Sequence, residues 1–218
     1  MIPAWNEAGR IAMAIGRAWD AGACEVIVAD GQSSDATCEV ARSHRCRLVE
    51  APRGRARQQN AGARIAGGDV LLFLHADTWL PCGAIAQMRS TLVDSNVVFG
   101  AFEQRIDAAS WHYRLLERGN NLRARRFRRP YGDQGIFVRS EVFHAAGGFP
   151  DVPFLEDLLL IRRLARRWRP VILPGPIFVS ARQWERNGVV RQTARNWLLL
   201  AAHRLGASPD RLARFYSR

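Results

Sequence analysis

The sequence predicts an α/β protein, with one mostly parallel, Rossmann-like sheet flanked by helices and a helical C-terminal segment. Three observations predict it. Apolar runs of strand length alternate with helical patterns from the start of the chain to about residue 80, the order that crossover helices impose on parallel strands. Residues 70–74, Val-Leu-Leu-Phe-Leu, are apolar without alternation, as a strand covered on both faces is. Three acids, Glu7, Asp30 and Asp77, stand at or just after strand ends, and open α/β sheets hold their ligands along that edge.

Taken in order, Pro3 and Asn6 mark a loop, and Glu7 opens a helix with Ile11, Ala14, Ile15 and Ala18 at helical spacing. Residues 24–30 read as a second buried strand ending on Asp30. After a turn at 31–34, Ser34 or Asp35 caps a helix reaching about Ser43. Residues 47–50 are a short strand, and 54–66 a helix entered through a basic loop with Arg53, Arg55 and Arg57. The strand at 70–74 stops on His75 and Asp77, and Pro81 closes the turn behind them. Beyond it, 83–93 is an amphipathic helix and 97–102 a strand. From Trp111 to about Phe127 the spacing is helical, with Trp111, Leu115, Leu116 and Leu122 on it, and it dissolves into an arginine-rich stretch at 123–129. Residues 130–135 form a loop, 136–139 a strand, and 147–150 another loop. Phe154-Leu155-Glu156-Asp157 leads into a helix to about Arg167, residues 171–179 are extended, and a last helix runs from about Val189 to Leu205. There is no internal repeat and no low-complexity linker, so residues 1–218 are expected to form one domain.

Composition excludes several chemistries. With 48% hydrophobic and 24% charged residues the chain is globular rather than disordered. All 32 basic residues are Arg, for a net charge of +12. So complete a bias reads as a coding preference, and the charge alone names no partner. It does rule out a lysine Schiff base and a phosphate-loop lysine. Any anion held by a side chain falls to Arg, whose fork suits phosphate. Cys24, Cys38, Cys46 and Cys82 show no metal-binding spacing and read as reduced, mostly buried thiols of a cytoplasmic protein. No signal-peptide pattern opens the chain, and the longest apolar stretch, 197–202, is too short to span a bilayer, so a soluble or peripheral protein is expected.

Asp77 offers hard oxygen ligands of the kind Mg²⁺ or Mn²⁺ prefers, and such ions commonly hold substrate phosphates. Alone, it reads more often as a turn residue than as a metal ligand. The ordered set around it narrows the choice. Ile2-Pro3-Ala4-Trp5-Asn6-Glu7, Val28-Ala29-Asp30-Gly31-Gln32-Ser33-Ser34-Asp35, Gly54-Arg55-Ala56-Arg57-Gln58-Gln59-Asn60, Leu74-His75-Ala76-Asp77-Thr78 and Phe154-Leu155-Glu156-Asp157 resemble, in order, the motifs of family 2 glycosyltransferases. The similarity covers nearly the whole chain and is nearest to a small bacterial subgroup of the arsenosugar-biosynthesis type. It implies a GT-A fold, a nucleotide-sugar donor, a hydroxyl acceptor and Mg²⁺ or Mn²⁺. Residues 1–80 would be the nucleotide-binding half and 81–218 the acceptor half. By resemblance, Pro3 and Glu7 line the nucleoside pocket, Asp30 holds the base, and Arg55 and Asn60 lie near the nucleotide. Asp77 binds the metal and the nucleotide. Asp157 is the catalytic base, with Glu156 second. Arg182, Trp184 and Arg186 resemble the Q/R-x-x-R-W element that borders the active site, placing acceptor or diphosphate contacts there.

Two departures matter. His75 stands where the D-x-D motif has its first carboxylate, which leaves Asp77 as the one firm metal ligand. Only Met1 and Ile2 precede Pro3, where the family's first strand has several apolar residues, so either the start is assigned too late or the first strand is truncated, with a weakened sheet expected beside the nucleotide pocket. Glu156-Asp157 also fits a helix N-terminal acid pair favoured by the macrodipole. Trp184 reads either as a platform for a sugar face or as packing against the sheet. The 123–129 stretch reads as a solvated helix end, an anion clamp, or a lipid or nucleic-acid contact; with no nucleic-acid motif in the chain, a mobile loop near the acceptor is favoured. Core packing or a dimer contact is the plain reading of the helix from Val189, and shallow docking on a membrane the sharper one. A nucleotidyltransferase would want a Gly-rich basic signature near the N-terminus, which Ala8-Gly9-Arg10 matches poorly, and a non-catalytic basic binding module is the third class.

Overall fold

A computed structural model describes residues 1–216, with side chains through Ala213. The chain begins β1 (Ile2–Ala4), α1 (Ile11–Asp20), β2 (Ile27–Asp30), α2 (Thr37–Arg42), β3 (Arg47–Glu50) and α3 (Arg55–Ile65). It continues through β4 (Val70–Leu72), β5 (Thr78–Trp79), α4 (Ala84–Thr91), β6 (Phe99–Asp107) and α5 (Trp111–Phe127). A 3-10 turn at Gly132–Gln134 precedes β7 (Phe137–Arg139), α6 (Ser140–Ala145), α7 (Glu156–Leu164) and β8 (Val171–Ser180). The last helices are α8 (Arg182–Asn187), α9 (Val189–Arg204) and α10 (Pro209–Tyr216).

The expected parallel arrangement holds in the first half. β1, β2 and β3 pair in parallel, and the register sets Ala4 opposite Asp30 and Asp30 opposite Glu50, so their C-terminal ends share one edge. Where a single mostly parallel sheet was expected, the second half forms a separate hydrogen-bonded sheet that is mixed, in the order β4-β7-β6-β8-β5, with β6 and β8 parallel and the other neighbours antiparallel. Met1 joins the halves: its nitrogen lies 2.6 Å from the Leu72 carbonyl, and its carbonyl accepts from the Leu74 N–H at 2.9 Å. β1 is short, as expected. Beside Met1, residues 25–27 and 69–72 stand apart around a cavity of about 360 Å³.

Apolar side chains bury on both faces of the sheet. On one, Ile11 and Ile15 of α1 and Ile85 and Met88 of α4 pack on Ile2, Val28 and Phe102. On the other, Phe73 meets Phe149 edge-on at 4.8 Å and Phe143 at 5.1 Å, beneath Leu160 and Ile161 of α7. Truncating such a buried Phe to Ala typically costs about 3–5 kcal/mol. Gly100 is where β6 lies closest to its neighbours: a Cβ there would sit 2.2 Å from the Val171 carbonyl and 2.5 Å from the Phe137 ring.

A register shift between Phe102 and Gln104 bends β6. Asn121 of α5 satisfies the backbone this frees, accepting from the Gln104 N–H at 2.8 Å and donating to the Gln104 carbonyl at 3.1 Å.

Three expectations are corrected. Residues 123–127 are not a loop but the end of α5, which stops at Phe127 as its spacing predicts, because Arg is a good helix former, Ala124 is fully buried, and Arg125 pairs with Glu103 at 2.6 Å. Residues 182–187, read as a lead-in, are helix α8. The cysteines are free thiols but none is buried. Cys24 and Cys82 are exposed because each falls in a connection between elements.

Candidate functional site

Above the shared C-terminal edge of the first strands lies a cavity of about 430 Å³. Its floor is tied by Gln58 of α3, a buried amide whose Nε2 donates to the carbonyls of Ala4 at 2.7 Å and Ala29 at 2.9 Å. That side chain closes the strand ends β1 and β2 under Pro3 and Ala4, which line the cavity. Trp5 and Glu7 form one wall. The Arg53 guanidinium lies 3.4 Å from the Trp5 ring centroid, and Glu7 pairs with Arg10 at 2.8 Å.

Thr78 fixes the turn after β4, accepting from the His75 N–H at 3.0 Å and donating to the His75 carbonyl at 3.1 Å. This presents His75, Ala76 and Asp77 to the cavity. Burial holds the His75 imidazole below its ordinary value, Arg55 adds to that, and Asp77, Asp133 and Asp157 oppose it. Among the described residues the Asp77 carboxylate accepts no hydrogen bond.

The opposite wall is the loop 131–134 with the start of α7. Leu155, just before α7, takes a left-handed conformation (φ 66°), uncommon for a bulky residue, and turns the chain into the helix. Asp157 then accepts the Gly132 N–H on Oδ2 at 2.5 Å and the Leu158 N–H on Oδ1 at 2.7 Å. A methyl group at Gly132 would lie 2.9 Å from Asp157 Oδ2 and 3.3 Å from His75 Nε2, so the glycine separates those two groups. Next to it, Asp133 Oδ2 accepts from Gln104 Nε2 at 2.7 Å, while the buried Oδ1 has no hydrogen-bond partner among the described residues. Burial pushes the Asp133 carboxyl above the usual range, against the pull of Arg123 and His75. Gln134, fully buried, holds the loop by accepting from Tyr131 N–H at 3.1 Å and from Arg123 at 3.0 Å. The Arg123 guanidinium lies 3.5 Å from the Tyr131 ring centroid.

Of the residues singled out in the sequence, Pro3, Glu7, Arg55, Asp77, Asp157 and Trp184 line this one cavity. Trp184 also packs edge-on against Tyr113 at 6.3 Å. The others lie outside the lining. Asp30 is buried beside it, opposite Ala4 in the register, its carboxylate accepting the Ser33 hydroxyl at 2.5 Å and the Ser33 N–H at 2.9 Å. Asn60 clamps Phe149 through both backbone groups, at 2.8 and 3.0 Å. Glu156 turns inward to Arg55, 2.9 Å from Oε1 to Nε, and burial pushes its carboxyl up to about 6 with Arg55 pulling the other way. Arg182 and Arg186 are exposed on α8. Sequence reasoning missed Asp133, Gln58 and Trp5. The Gly-Asp-Gln-Gly run at 132–135 was the available signal for the first, and it read only as a loop.

Among the described residues no three His, Cys, Asp or Glu side chains converge as a metal-binding group. The arrangement fits a weaker mode of binding. Mg²⁺ and Mn²⁺ are commonly held by one or two carboxylates with substrate phosphates completing the shell, and Asp77 offers one such carboxylate to the cavity.

The model of the family described as "Glycosyl transferase family 2" matches residues 1–149. The chain belongs to glycosyl transferase family 2. A search of curated proteins gives no match. Among solved structures, this family 2 chain resembles the mannosyltransferase PcManGT from Pyrobaculum calidifontis in complex with GDP-Man and Mn²⁺, at TM-score 0.63 and 22% identity, over 82% of this chain and 55% of that one. It also resembles S. aureus TarS 1-349 in complex with UDP-GlcNAc, at TM-score 0.64 and 13% identity, over 82% and 57% of the two chains. These likenesses show the GT-A fold, with the chain spanning little more than half the length of either structure. The match is to the family; the arsenosugar-type subgroup rests on the motif resemblance alone. Among the described residues no helix is long and apolar enough to cross a membrane.

Proposed function

We propose that the chain transfers a sugar from a nucleoside-diphosphate sugar to an acceptor hydroxyl, in one displacement with inversion. The observation that carries this reading is that Asp77 and Asp157, 80 positions apart in sequence, line one cavity with Glu7 and Arg55. Family membership supports it, as do neighbours solved with GDP-Man and UDP-GlcNAc.

The donor's nucleoside lies against Pro3, Trp5 and Glu7, and its diphosphate toward Asp77. A divalent cation held by Asp77 and the diphosphate would neutralise charge on the leaving group. Asp157 accepts the proton of the acceptor hydroxyl while that oxygen bonds to the anomeric carbon. The carbon–oxygen bond to the diphosphate breaks, and the nucleoside diphosphate leaves with the electron pair. Each Asp157 oxygen keeps a lone pair beyond the backbone bond it accepts, so the carboxylate is held in place and still able to take the proton. Glu156 is a positioning residue in this scheme: it anchors Arg55 and the start of α7. Asp30, Asn60, Arg182 and Arg186 serve from outside the lining, the first two by shaping the strand ends and the α3 approach, and the arginines as charge near the mouth.

Thermal unfolding with UDP, GDP and dTDP sugars, with and without Mn²⁺, tests the proposal. Stabilisation by one nucleoside diphosphate that grows with Mn²⁺ is expected. No stabilisation by any of them would overturn it, and product of retained anomeric configuration would overturn the single displacement.

A further inference from the structure

Helix α9 has two faces in different surroundings. Gln192 and Leu199 are buried, and Asn196 and Leu200 line the candidate cavity. The face turned away is apolar and open: Val190 is 82% exposed, Trp197 72% and Leu198 70%, and Leu205, just past the helix end, 89%. At 3.6 residues per turn, these residues with Ala194 and Ala201 fall within an arc of about 100°. Arg191 and Arg204 border that arc, one on each side, and the helix contains no Asp or Glu. Leu200, on the cavity rim, is only about 60° round the helix from Trp197.

We propose that the outward face of α9 docks on an anionic lipid bilayer, and that the acceptor is therefore an amphiphile presented at that surface. Trp and Leu suit the boundary between headgroups and acyl chains, and flanking guanidiniums meet lipid phosphates there. A chain with net charge +12 is drawn to such a surface before it docks. A second copy fits the face less well. A two-fold contact between α9 helices would bring Arg191 and Arg204 of both copies around one apolar seam, with no acid on either helix to offset them. Because the rim adjoins the stripe, a docked molecule opens its cavity toward the lipid side. The docking itself stands without the sugar-transfer reading; the acceptor class rests on it.

Flotation with vesicles of phosphatidylglycerol and phosphatidylcholine, against phosphatidylcholine alone, tests the docking. The wild type is expected to rise with the anionic vesicles at low salt, with tryptophan emission moving to shorter wavelength. The double variant Trp197→Ser/Leu198→Ser removes only exposed side chains. It should keep its unfolding temperature and nucleoside-diphosphate binding while its partition falls roughly tenfold or more. Arg191→Gln/Arg204→Gln should lose the preference for the anionic lipid. Wild type left behind by anionic vesicles would overturn the docking. So would a dimer in light scattering that the Trp197→Ser/Leu198→Ser variant dissolves. For the acceptor class, transfer to an alkyl glycoside in vesicles should outpace transfer to the matching methyl glycoside, and the excess should vanish in the same variant; equal rates would overturn it. Flotation without nucleotide binding would sink the sugar-transfer reading alone, and nucleotide binding without flotation the docking alone.

Discussion

Arg55 and Glu156, 101 positions apart, form an ion pair of 2.9 Å in which a part-exposed guanidinium covers a buried carboxylate. The pair ties the first turn of α3 to the first turn of α7, and so the Arg55 side of the cavity to the side that carries Asp157. Removing Arg55 strands a buried charge, which typically costs about 3–5 kcal/mol. Arg55→Gln is therefore expected to lower the unfolding temperature clearly at neutral pH. Exposed Arg42, whose partner Glu50 is also exposed, should show almost no effect on the same change.

The same carboxylate makes stability depend on pH. Burial raises Glu156 from its ordinary value of 4.5 to about 6 in the folded protein, so the fold favours the protonated form. Its contribution is fully present below pH 4.5 and is lost as pH rises through about 6. Thermal melts of Glu156→Gln and wild type should differ in slope across that window, with the variant flatter.

Asp157→Asn keeps the side chain's size but leaves one acceptor oxygen for the two N–H groups of Gly132 and Leu158, and it cannot take a proton. Loss of one backbone bond should lower the unfolding temperature modestly, while nucleoside-diphosphate binding stays near wild type and turnover falls by about 10²–10⁴-fold. Single-turnover assays with saturating donor would measure this directly, and unchanged turnover would remove Asp157 from the role of base.

For Asp77→Asn the expected loss is in metal-linked binding. Calorimetry with UDP or GDP should show the Mn²⁺-dependent part of the affinity reduced by at least the 10- to 100-fold that loss of a mere supporting partner typically costs. Binding measured in chelator should change little, because Pro3, Trp5 and Glu7 are untouched.

Gly132→Ala places a methyl group 2.9 Å from Asp157 Oδ2 and 3.3 Å from His75 Nε2. Overpacking of this kind typically costs about 1–3 kcal/mol. A modest drop in unfolding temperature is expected, with a larger loss in kcat than in donor affinity if Asp157, on which the push falls, is the base as proposed.

Much of this was written in the chain. The alternation of apolar runs gave the order of strands and helices because both flanking faces of the first sheet are buried. Asp77 and Asp157 were singled out through their resemblance to family motifs, and the fold brings both to one cavity. What escaped was decided by tertiary pairing. The antiparallel placement of β7 against β4 and β6 leaves no local mark in three short residues. Asp133 depends on a bend in β6 that only the clamp from Asn121 makes tolerable, and the two lie on separate elements. The arginines of 123–129 looked like solvated charge because Glu103 and Gln134, their partners, are distant in sequence.

The bond that steadies Asp157 Oδ2 comes from the main chain of Gly132. Every amino acid except proline supplies that N–H, so codon changes at 132 vary bulk while the donor persists. A deep mutational scan would accordingly record this position as intolerant by size alone and give no hint of the carboxylate it serves. Only an amide-to-ester replacement of the Gly132 peptide nitrogen would reveal the polar half of the contact.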